Sequence, residues 1–149
     1  VNMMNRRAQE LMANGTHFMN PHGLHDDNHY TTAYDLYLIF NECIKHEDFV
    51  NIIQSEAYTA YYTDVDGNSQ EALFTPTNLY AQGEVDVPEN VTIVGGKTGT
   101  TDEAGYCLIL MEKDSSDNPY ISIVMGASEK PVLYEDMTSL IEAIPSGQQ

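Results

Sequence analysis

The residues whose types and spacing could do chemistry are concentrated in Lys97-Thr98-Gly99, directly after two further glycines at positions 95 and 96. The segment follows an apolar run, so it is predicted to end a strand. The lysine supplies a positive charge, the threonine offers a hydroxyl, and glycine lets another backbone approach closely. This set suits an extended ligand that ends in a carboxylate. The three residues by themselves leave open a glycine-rich turn.

Lys97 stands out because the chain is strongly acidic. Among 149 residues, 23 Asp and Glu outnumber 6 Lys and Arg, which gives a formal net charge of −17. Such a charge repels phosphate backbones and anionic lipids, so binding to nucleic acid or to an inner membrane leaflet is disfavoured. Hydrophobic residues make up 42% of the chain, which indicates a globular domain, and no apolar run reaches membrane-spanning length.

A second group of side chains with chemical potential is the set of histidines in a loop that contains Pro and Gly. Structural zinc requires two closely spaced ligand pairs, and this loop lacks them. We therefore predict no metal and no cofactor, and expect His17, His22 and His29 to hold the loop in place. The residues concerned are His17, His22, His25, Asp26, Asp27 and His29.

Two patterns in the middle of the chain could also indicate binding. The segment 64–68 resembles a calcium loop, but its glycine comes too early and its twelfth position is Thr75, so a hairpin turn is predicted. Four tyrosines could line a carbohydrate groove, but packing on a sheet is the more usual role of tyrosine in strands. These are Tyr58, Tyr61, Tyr62 and Tyr80.

The first half of the chain is predicted to be mainly helical. Apolar spacing predicts an amphipathic helix over residues 1–13, which starts without a capping residue. A capping box from Thr32 to Asp35 opens a second helix that runs to about Lys45, and a short helix follows near 47–54. Cys43 and Cys107 lie too far apart in sequence to decide between one bridge and two buried thiols.

The second half is predicted to form strands and a final helix. Residues 57–75 indicate a hairpin, residues 91–127 indicate three consecutive antiparallel strands, and residues 134–144 carry a helical apolar face. Ser116-Asp117-Asn118 is interpreted as the turn between the last two strands. The order of the elements predicts an α+β fold, in which helices precede a small antiparallel sheet and a C-terminal helix.

Four separated stretches, in this order, resemble one family, the serine-type D-alanyl-D-alanine carboxypeptidases or low-molecular-mass penicillin-binding proteins. The resemblance extends from Val1 to about Ile144 and implies part of a penicillin-binding-protein/β-lactamase-like transpeptidase fold. The stretches are Met4-Asn5 with Ala8 and Leu11, residues 16–24 (THFMNPHGL), residues 29–36 (HYTTAYDL), and residues 96–108, which contain GKTGTT and AGYCL.

The resemblance implies that residues 1–149 are the C-terminal portion of a D,D-carboxypeptidase catalytic domain. Such enzymes remove the terminal D-alanine of peptidoglycan stem peptides through a serine acyl-enzyme, and β-lactam antibiotics acylate the same serine. The implied place is outside the cytoplasmic membrane, with any signal peptide or anchor outside this chain. The expected parts are a helical region (1–56), a hairpin and loop (57–90), strands with K-T-G (91–127) and the C-terminal helix (134–144).

The resemblance also implies a role for each residue around K-T-G. Lys97 would attract the terminal carboxylate of the substrate, and Thr98 would donate a hydrogen bond to it. Gly99 would let the strand pair with the ligand backbone. Thr100 would lend its backbone N–H to the oxyanion hole, where such donors stabilise the charge of the transition state.

Two further family motifs, S-x-x-K for the nucleophile and S-x-N for proton transfer, do not occur in the expected order. No serine of the chain is followed three residues later by lysine, and the one S-x-N match, Ser116-Asp117-Asn118, comes after K-T-G. We expect the chain to be inactive alone and to be completed at the exposed edge of the Lys97 strand by a missing N-terminal part or a second copy. The alternatives are a non-catalytic peptide-binding or assembly module and a class A β-lactamase-like hydrolase.

We expect no covalent labelling of this chain alone by a fluorescent penicillin, because acyl transfer requires an activated nucleophile. The measurement is in-gel fluorescence after incubation with the labelled penicillin. An intact penicillin-binding protein serves as the positive control. A labelled band from this chain alone would contradict the expectation.

Overall fold

The computed structural model describes residues 1–145, so the last four residues of the expected domain lie outside it. Within this range the α+β fold class is confirmed, with helices, a small antiparallel sheet and a final helix in the expected order. The helices are α1 (Asn2–Glu10), α2 (Ala33–Cys43), α3 (Glu47–Ile53), α4 (Leu79–Gln82) and α5 (Lys130–Glu142). The strands are β1 (Tyr58–Thr63), β2 (Ser69–Phe74), β3 (Val91–Thr101), β4 (Gly105–Asp114) and β5 (Pro119–Ala127).

The strands form two antiparallel sheets. β1 and β2 make the predicted hairpin, with Tyr58 opposite Phe74 at its open end. The Asp64 carboxylate accepts hydrogen bonds from the backbone N–H groups of Asp66 and Asn68, which confirms a hairpin turn there. The larger sheet has the order β3-β4-β5, so β3 is an edge strand in the described part of the chain. β5 forms the other edge, as expected for three consecutive antiparallel strands.

The boundaries of α1 and α5 differ from those predicted, and one short helix was not predicted. α5 begins at Lys130 instead of residue 134, since Pro131 in its first turn has a φ angle suited to a helix start. α1 ends at Glu10 and not near residue 13, because Met12 adopts a left-handed backbone with φ of 62°. α4 was not predicted, and its first turn is capped by the Asn78 side chain, which accepts a hydrogen bond from the Tyr80 N–H.

The capping box that was predicted at the start of α2 is half formed. The Thr32 hydroxyl accepts a hydrogen bond from the Asp35 N–H at 3.1 Å. The Asp35 side chain does not return to Thr32, and its carboxylate accepts a bond from the Thr16 hydroxyl at 2.7 Å. A buried carboxylate that begins a helix thus also fixes the loop that precedes it.

The hydrophobic core lies between the three-stranded sheet and α5. Alternate residues of β4 point into it, so Leu108 and Leu110 are buried against Met137 and Ile141. The Asn90 side-chain amide donates to the carbonyl oxygens of Ile141 and Ile144, at 3.0 and 2.8 Å. These bonds tie the start of β3 to the end of α5 and to the segment that follows it.

The predicted packing of the tyrosines on a sheet is wrong for three of the four. Tyr58, Tyr61 and Tyr62 of β1 are 65%, 78% and 53% exposed. Tyr80 is buried, but it lies on α4, where its ring meets Tyr134 edge to face and its hydroxyl bonds the Thr138 hydroxyl at 2.7 Å. The hairpin therefore carries these three tyrosines on its surface.

No helix within residues 1–145 is both long enough and apolar enough to cross a membrane. Cys43 and Cys107 are free thiols, so they do not form the one bridge that the sequence left open. Each thiol is half-buried, whereas the other expectation was two buried thiols.

Two glycines before the lysine allow neighbouring backbones to come close to β3. A Cβ atom at Gly95 would lie 2.2 Å from the Ile53 carbonyl oxygen of α3, and one at Gly96 would lie 2.1 Å from the Ile109 carbonyl oxygen of β4. The register of β3 against β4 also shifts between Ile93 and Gly95, as at a β-bulge. By contrast, a Cβ atom at Gly99 would meet nothing within 4 Å.

One acidic side chain lies in the core. Glu112 follows Leu110 on the inward face of β4 and is 0% exposed, and neither of its carboxylate oxygens has a hydrogen-bond partner among the described residues. Burial raises the pKa of Glu112 from 4.5 to about 7. The protonated form therefore suits this position.

The surroundings of Gly95 and Gly99 predict different effects of an added methyl group on stability. Gly95→Ala should lower the free energy of unfolding by about 2 kcal/mol, because the added methyl group meets the backbone of Ile53. The matched control Gly99→Ala adds the same methyl group into open space, so its effect should stay within about 0.5 kcal/mol. Urea unfolding measures both, and equal losses would contradict the close packing at Gly95.

The buried carboxyl group predicts a pH dependence of stability. Since its pKa in the folded protein is above the unfolded value, the unfolded chain releases this proton first as pH rises. Between pH 4.5 and about 7, stability should fall by about 1.4 kcal/mol per pH unit relative to Glu112→Gln, and the difference should be constant at higher pH. The measurement is urea unfolding of both proteins across this range. The exposed substitution Glu103→Gln controls for net charge, and parallel curves for wild type and Glu112→Gln would contradict the prediction.

Candidate functional site

The predicted site residues lie together on one strand. Lys97, Thr98, Gly99 and Thr100 are consecutive residues of β3, and β4 pairs with them on one side only. Lys97, Gly99 and Thr100 are exposed, while Thr98 is half-buried. The Lys97 ammonium donates a hydrogen bond to the Thr98 carbonyl oxygen. The lysine charge is therefore held beside the threonine on the strand edge.

A cavity of about 770 Å³ adjoins this part of β3. Its walls come from the end of α3, the open end of the β1–β2 hairpin, the segment 75–78 and β3 itself. Among the described residues that line the cavity, Lys97 is the only one with a charged side chain. In a chain with a net charge of −17, this arrangement favours a ligand with one negative group.

Thr98 has a partner that the sequence analysis missed. The Thr77 and Thr98 hydroxyl groups are hydrogen-bonded to each other across 21 residues of sequence. Thr77 is held in place because the next residue, Asn78, is 5% exposed and caps α4. The sequence offered one indication of this arrangement, since Thr-Pro-Thr-Asn before an apolar segment is typical of a turn that leads into a helix.

The loop between α1 and α2 is bonded to α1 and extends to the turn after β3. The Asn5 side chain exchanges two hydrogen bonds with the Phe18 backbone, at 2.9 and 2.7 Å. At the far side of the loop, the His25 Nδ1 atom lies 4.0 Å from a Glu103 carboxylate oxygen, in the turn that follows β3. The loop thus reaches the turn that ends the strand carrying Lys97.

Three of the four loop histidines bind the loop backbone, as expected, whereas His25 Nε2 lies 3.2 Å from an Asp27 carboxylate oxygen. His17 Nδ1 is 2.7 Å from the Asn28 carbonyl oxygen, and the Nδ1 atoms of His22 and His29 accept bonds from the N–H groups of Leu24 and Met19. Within residues 1–145, no group of three or more His, Cys, Asp or Glu side chains is placed to hold a metal ion.

The segment Ser116-Asp117-Asn118 is confirmed as a turn. The Asp114 carboxylate accepts bonds from the N–H groups of Ser116 and Asn118, at 2.8 and 2.9 Å, and Asp117 has a φ of 66°. The bond from the Asn118 side chain is the largest of the causes that lower the pKa of Asp114. Asp114 pairs with Val91, at the opposite end of β3 from Lys97, so the structure does not bring this motif to the cavity.

Comparisons with known sequences agree on one family. The family profile described as D-alanyl-D-alanine carboxypeptidase, peptidase S11, matches residues 1–129. The chain is 30% identical over 142 residues to the D-alanyl-D-alanine carboxypeptidase DacF of Bacillus subtilis, with 95% of this chain and 34% of that protein covered. It is also 30% identical over 126 residues to DacA of Haemophilus influenzae, with 85% and 29% covered.

A solved structure has the same fold. The crystal structure of the Streptomyces K15 DD-transpeptidase matches with a TM-score of 0.81 at 26% sequence identity, over 93% of this chain and 51% of that chain. The chain thus spans about a third of the length of the curated relatives that it matches and about half of this structure.

Proposed function

This chain belongs to the D-alanyl-D-alanine carboxypeptidase family, peptidase S11, and from that premise we propose that its β3 strand binds the terminal carboxylate of the substrate in a serine-type D,D-carboxypeptidase. The observation that carries the proposal is the position of Lys97. Its charge lies on an edge strand, beside a cavity whose other described lining residues are uncharged. A peptide carboxylate can reach this charge without meeting a competing acid.

Each K-T-G residue has a proposed task. Lys97 attracts the carboxylate, and the Thr98 hydroxyl, oriented by Thr77, donates a hydrogen bond to it. The open space at Gly99 leaves room for the ligand backbone beside the strand. The Thr100 N–H contributes to the oxyanion hole, where a preorganised donor stabilises the charge that develops on the scissile carbonyl oxygen.

The proposed substrates are peptidoglycan stem peptides that end in D-Ala-D-Ala, and β-lactam antibiotics bind at the same place. The reaction proceeds through a serine ester. The serine oxygen bonds to the carbonyl carbon of the penultimate residue, the terminal D-alanine leaves with the proton on its amine, and water then hydrolyses the ester. This activity belongs to the bacterial cell envelope, outside the cytoplasmic membrane.

The serine itself is proposed to come from polypeptide outside these 149 residues. The sequence supports this, since no serine here has lysine three residues later. The same observation favours a second candidate, a non-catalytic module that binds the peptide carboxylate without cleaving it. Penicillin labelling distinguishes these two candidate functions. This chain is mixed with an N-terminal segment of a family member that carries S-x-x-K and S-x-N, and only a catalytic assembly of the two forms a covalent product with penicillin.

Removing the lysine charge should weaken binding of a carboxylate-terminated peptide. We expect Lys97→Ala to raise the Kd of acetyl-Gly-D-Ala-D-Ala by about fivefold, because a partly exposed ion pair contributes about 1 kcal/mol of binding free energy. A titration followed by ¹H–¹⁵N NMR measures this Kd. Lys113→Ala is the matched control, because Lys113 lies on β4 and pairs with Asp117, so it should leave Kd unchanged.

The same peptide with an amidated C-terminus tests the assignment to the carboxylate. The wild-type chain should bind the amide with a higher Kd than the acid. The Lys97→Ala variant should bind the amide and the acid with the same Kd. If Lys97→Ala binds the acid as tightly as wild type does, the role proposed for Lys97 is wrong.

A further inference from the structure

The outer edge of strand β1 in the β1–β2 hairpin is unpaired. The two strands form a sheet of their own, so in the part of the chain that the structure describes β1 pairs only with β2. The free N–H and C=O groups of an edge strand can pair with a strand of another molecule, and charged residues, proline or a bulge usually prevent this. β1 has none of the three, since its sequence is YTAYYT and its register against β2 is continuous.

The hydrogen bonding of the hairpin identifies which backbone groups are free. The Asp64 N–H donates to the Asn68 carbonyl oxygen at 3.0 Å, just beyond the last strand pair. Bonds across an antiparallel pair involve alternate residues of each strand. The even-numbered residues of β1 therefore bond to β2, whereas the N–H and C=O groups of Thr59, Tyr61 and Thr63 point to the free edge.

The two edges of the hairpin differ in charge. Residues 57–63 contain no charged side chain, in a chain with a net charge of −17. β2 instead carries Glu71, which lies opposite Tyr61. Two copies that paired through β2 about this position would bring two Glu71 carboxylates together, and like charges directly opposite each other are destabilising. The β1 edge lets two copies approach without this repulsion.

We propose that two copies of this chain pair through their β1 strands, antiparallel and about a two-fold axis at Tyr61. In this register Tyr61 lies opposite Tyr61 of the second copy, and Thr59 lies opposite Thr63 of the second copy. Each of these pairs exchanges both of its backbone hydrogen bonds, because all three residues point their backbone groups outward. Such a contact is isologous and closes on itself, so it gives a dimer. The proposal does not depend on the carboxylate site.

The side chains suit this register. On one face of the joined sheet the two Tyr61 rings lie side by side, between two Thr59–Thr63 pairs. On the other face each Tyr62 ring lies opposite the small side chain of Ala60. Aromatic pairs and threonine pairs are favourable across antiparallel strands. Tyr61 and Tyr62 are 78% and 53% exposed in the single chain, so pairing also removes apolar ring surface from water.

Sedimentation velocity of this chain measures the association. We expect a monomer–dimer equilibrium with a Kd on the order of 100 µM, because two short strands bury less than the roughly 1,200 Å² of a standard interface. Each copy carries a net charge of −17, and salt screens the repulsion between the copies. Raising NaCl from about 50 mM to about 500 mM should therefore lower the Kd about fivefold.

Two proline substitutions distinguish the edges of the hairpin. Thr63→Pro removes an outward N–H group of β1 and should raise the Kd about tenfold or more. Ser69→Pro is the matched control, because Ser69 is the exposed partner of Thr63 across the hairpin. By the same alternation its N–H points to the outer edge of β2, so this variant should dimerise as the wild type does.

Charges at position 61 test the register without proline. Tyr61→Glu and Tyr61→Lys should each be monomeric, because like charges would face each other at the two-fold axis. An equimolar mixture of the two variants should recover the dimer, since opposite charges then face each other. This pair of variants decides the question if the ¹H–¹⁵N spectrum shows that Thr63→Pro has lost the hairpin.

The possible results either support or overturn the dimer. Dimerisation that Thr63→Pro weakens and Ser69→Pro keeps, with recovery in the mixture, supports it. A wild-type chain that stays monomeric at about 500 µM in about 500 mM NaCl overturns it. A dimer that Thr63→Pro leaves unchanged, a mixture that shows no recovery, or growth of species larger than a dimer overturns the proposed strand pairing.

Discussion

The close approach of neighbouring backbone to Gly95 and Gly96 is the contact on which the candidate site depends. The Ile53 carbonyl of α3 and the Ile109 carbonyl of β4 occupy the space where side chains would otherwise stand. Because α3 comes this near, its last residues form one wall of the cavity, and the bulged strand continues past them to Lys97. Any side chain at these positions would push apart the elements that enclose the cavity.

The other side of the sheet holds β3 in place through α5. Leu108 and Leu110 of the central strand pack on this helix. Asn90, just before β3, donates hydrogen bonds to the carbonyl oxygens of Ile141 in the helix and Ile144 just after it. Asn78 and Thr77 extend the support to the cavity, since one caps α4 and the other bonds Thr98. The hydroxyl that faces the cavity is therefore oriented by a short helix that packs against the core.

Charged side chains have different roles at the surface and in the interior of this protein. The net charge of −17 resides largely on exposed acids, and Lys97 is placed where no acid lines the same cavity. Glu112 is the exception, because it is an acid that the fold has buried without a partner among the described residues, with its pKa raised to about 7. The position of each residue decides its role. The Lys97 charge is placed to attract a ligand, whereas the protonation of Glu112 makes the stability of the fold depend on pH.

The sequence by itself determined the order of the elements, the hairpin, the three sheet strands and the placing of Lys97, Thr98, Gly99 and Thr100 on one strand. These features depend on local spacing and turn chemistry, which neighbouring residues encode. The burial of Glu112 and the joint exposure of Ile52, Tyr58 and Phe74 were decided by tertiary structure alone. The pairing of Thr77 with Thr98 was decided in the same way, although the turn that carries Thr77 has a local sequence pattern. Each depends on which surface another element covers, and residues distant in the chain set that coverage, so no local pattern contains it.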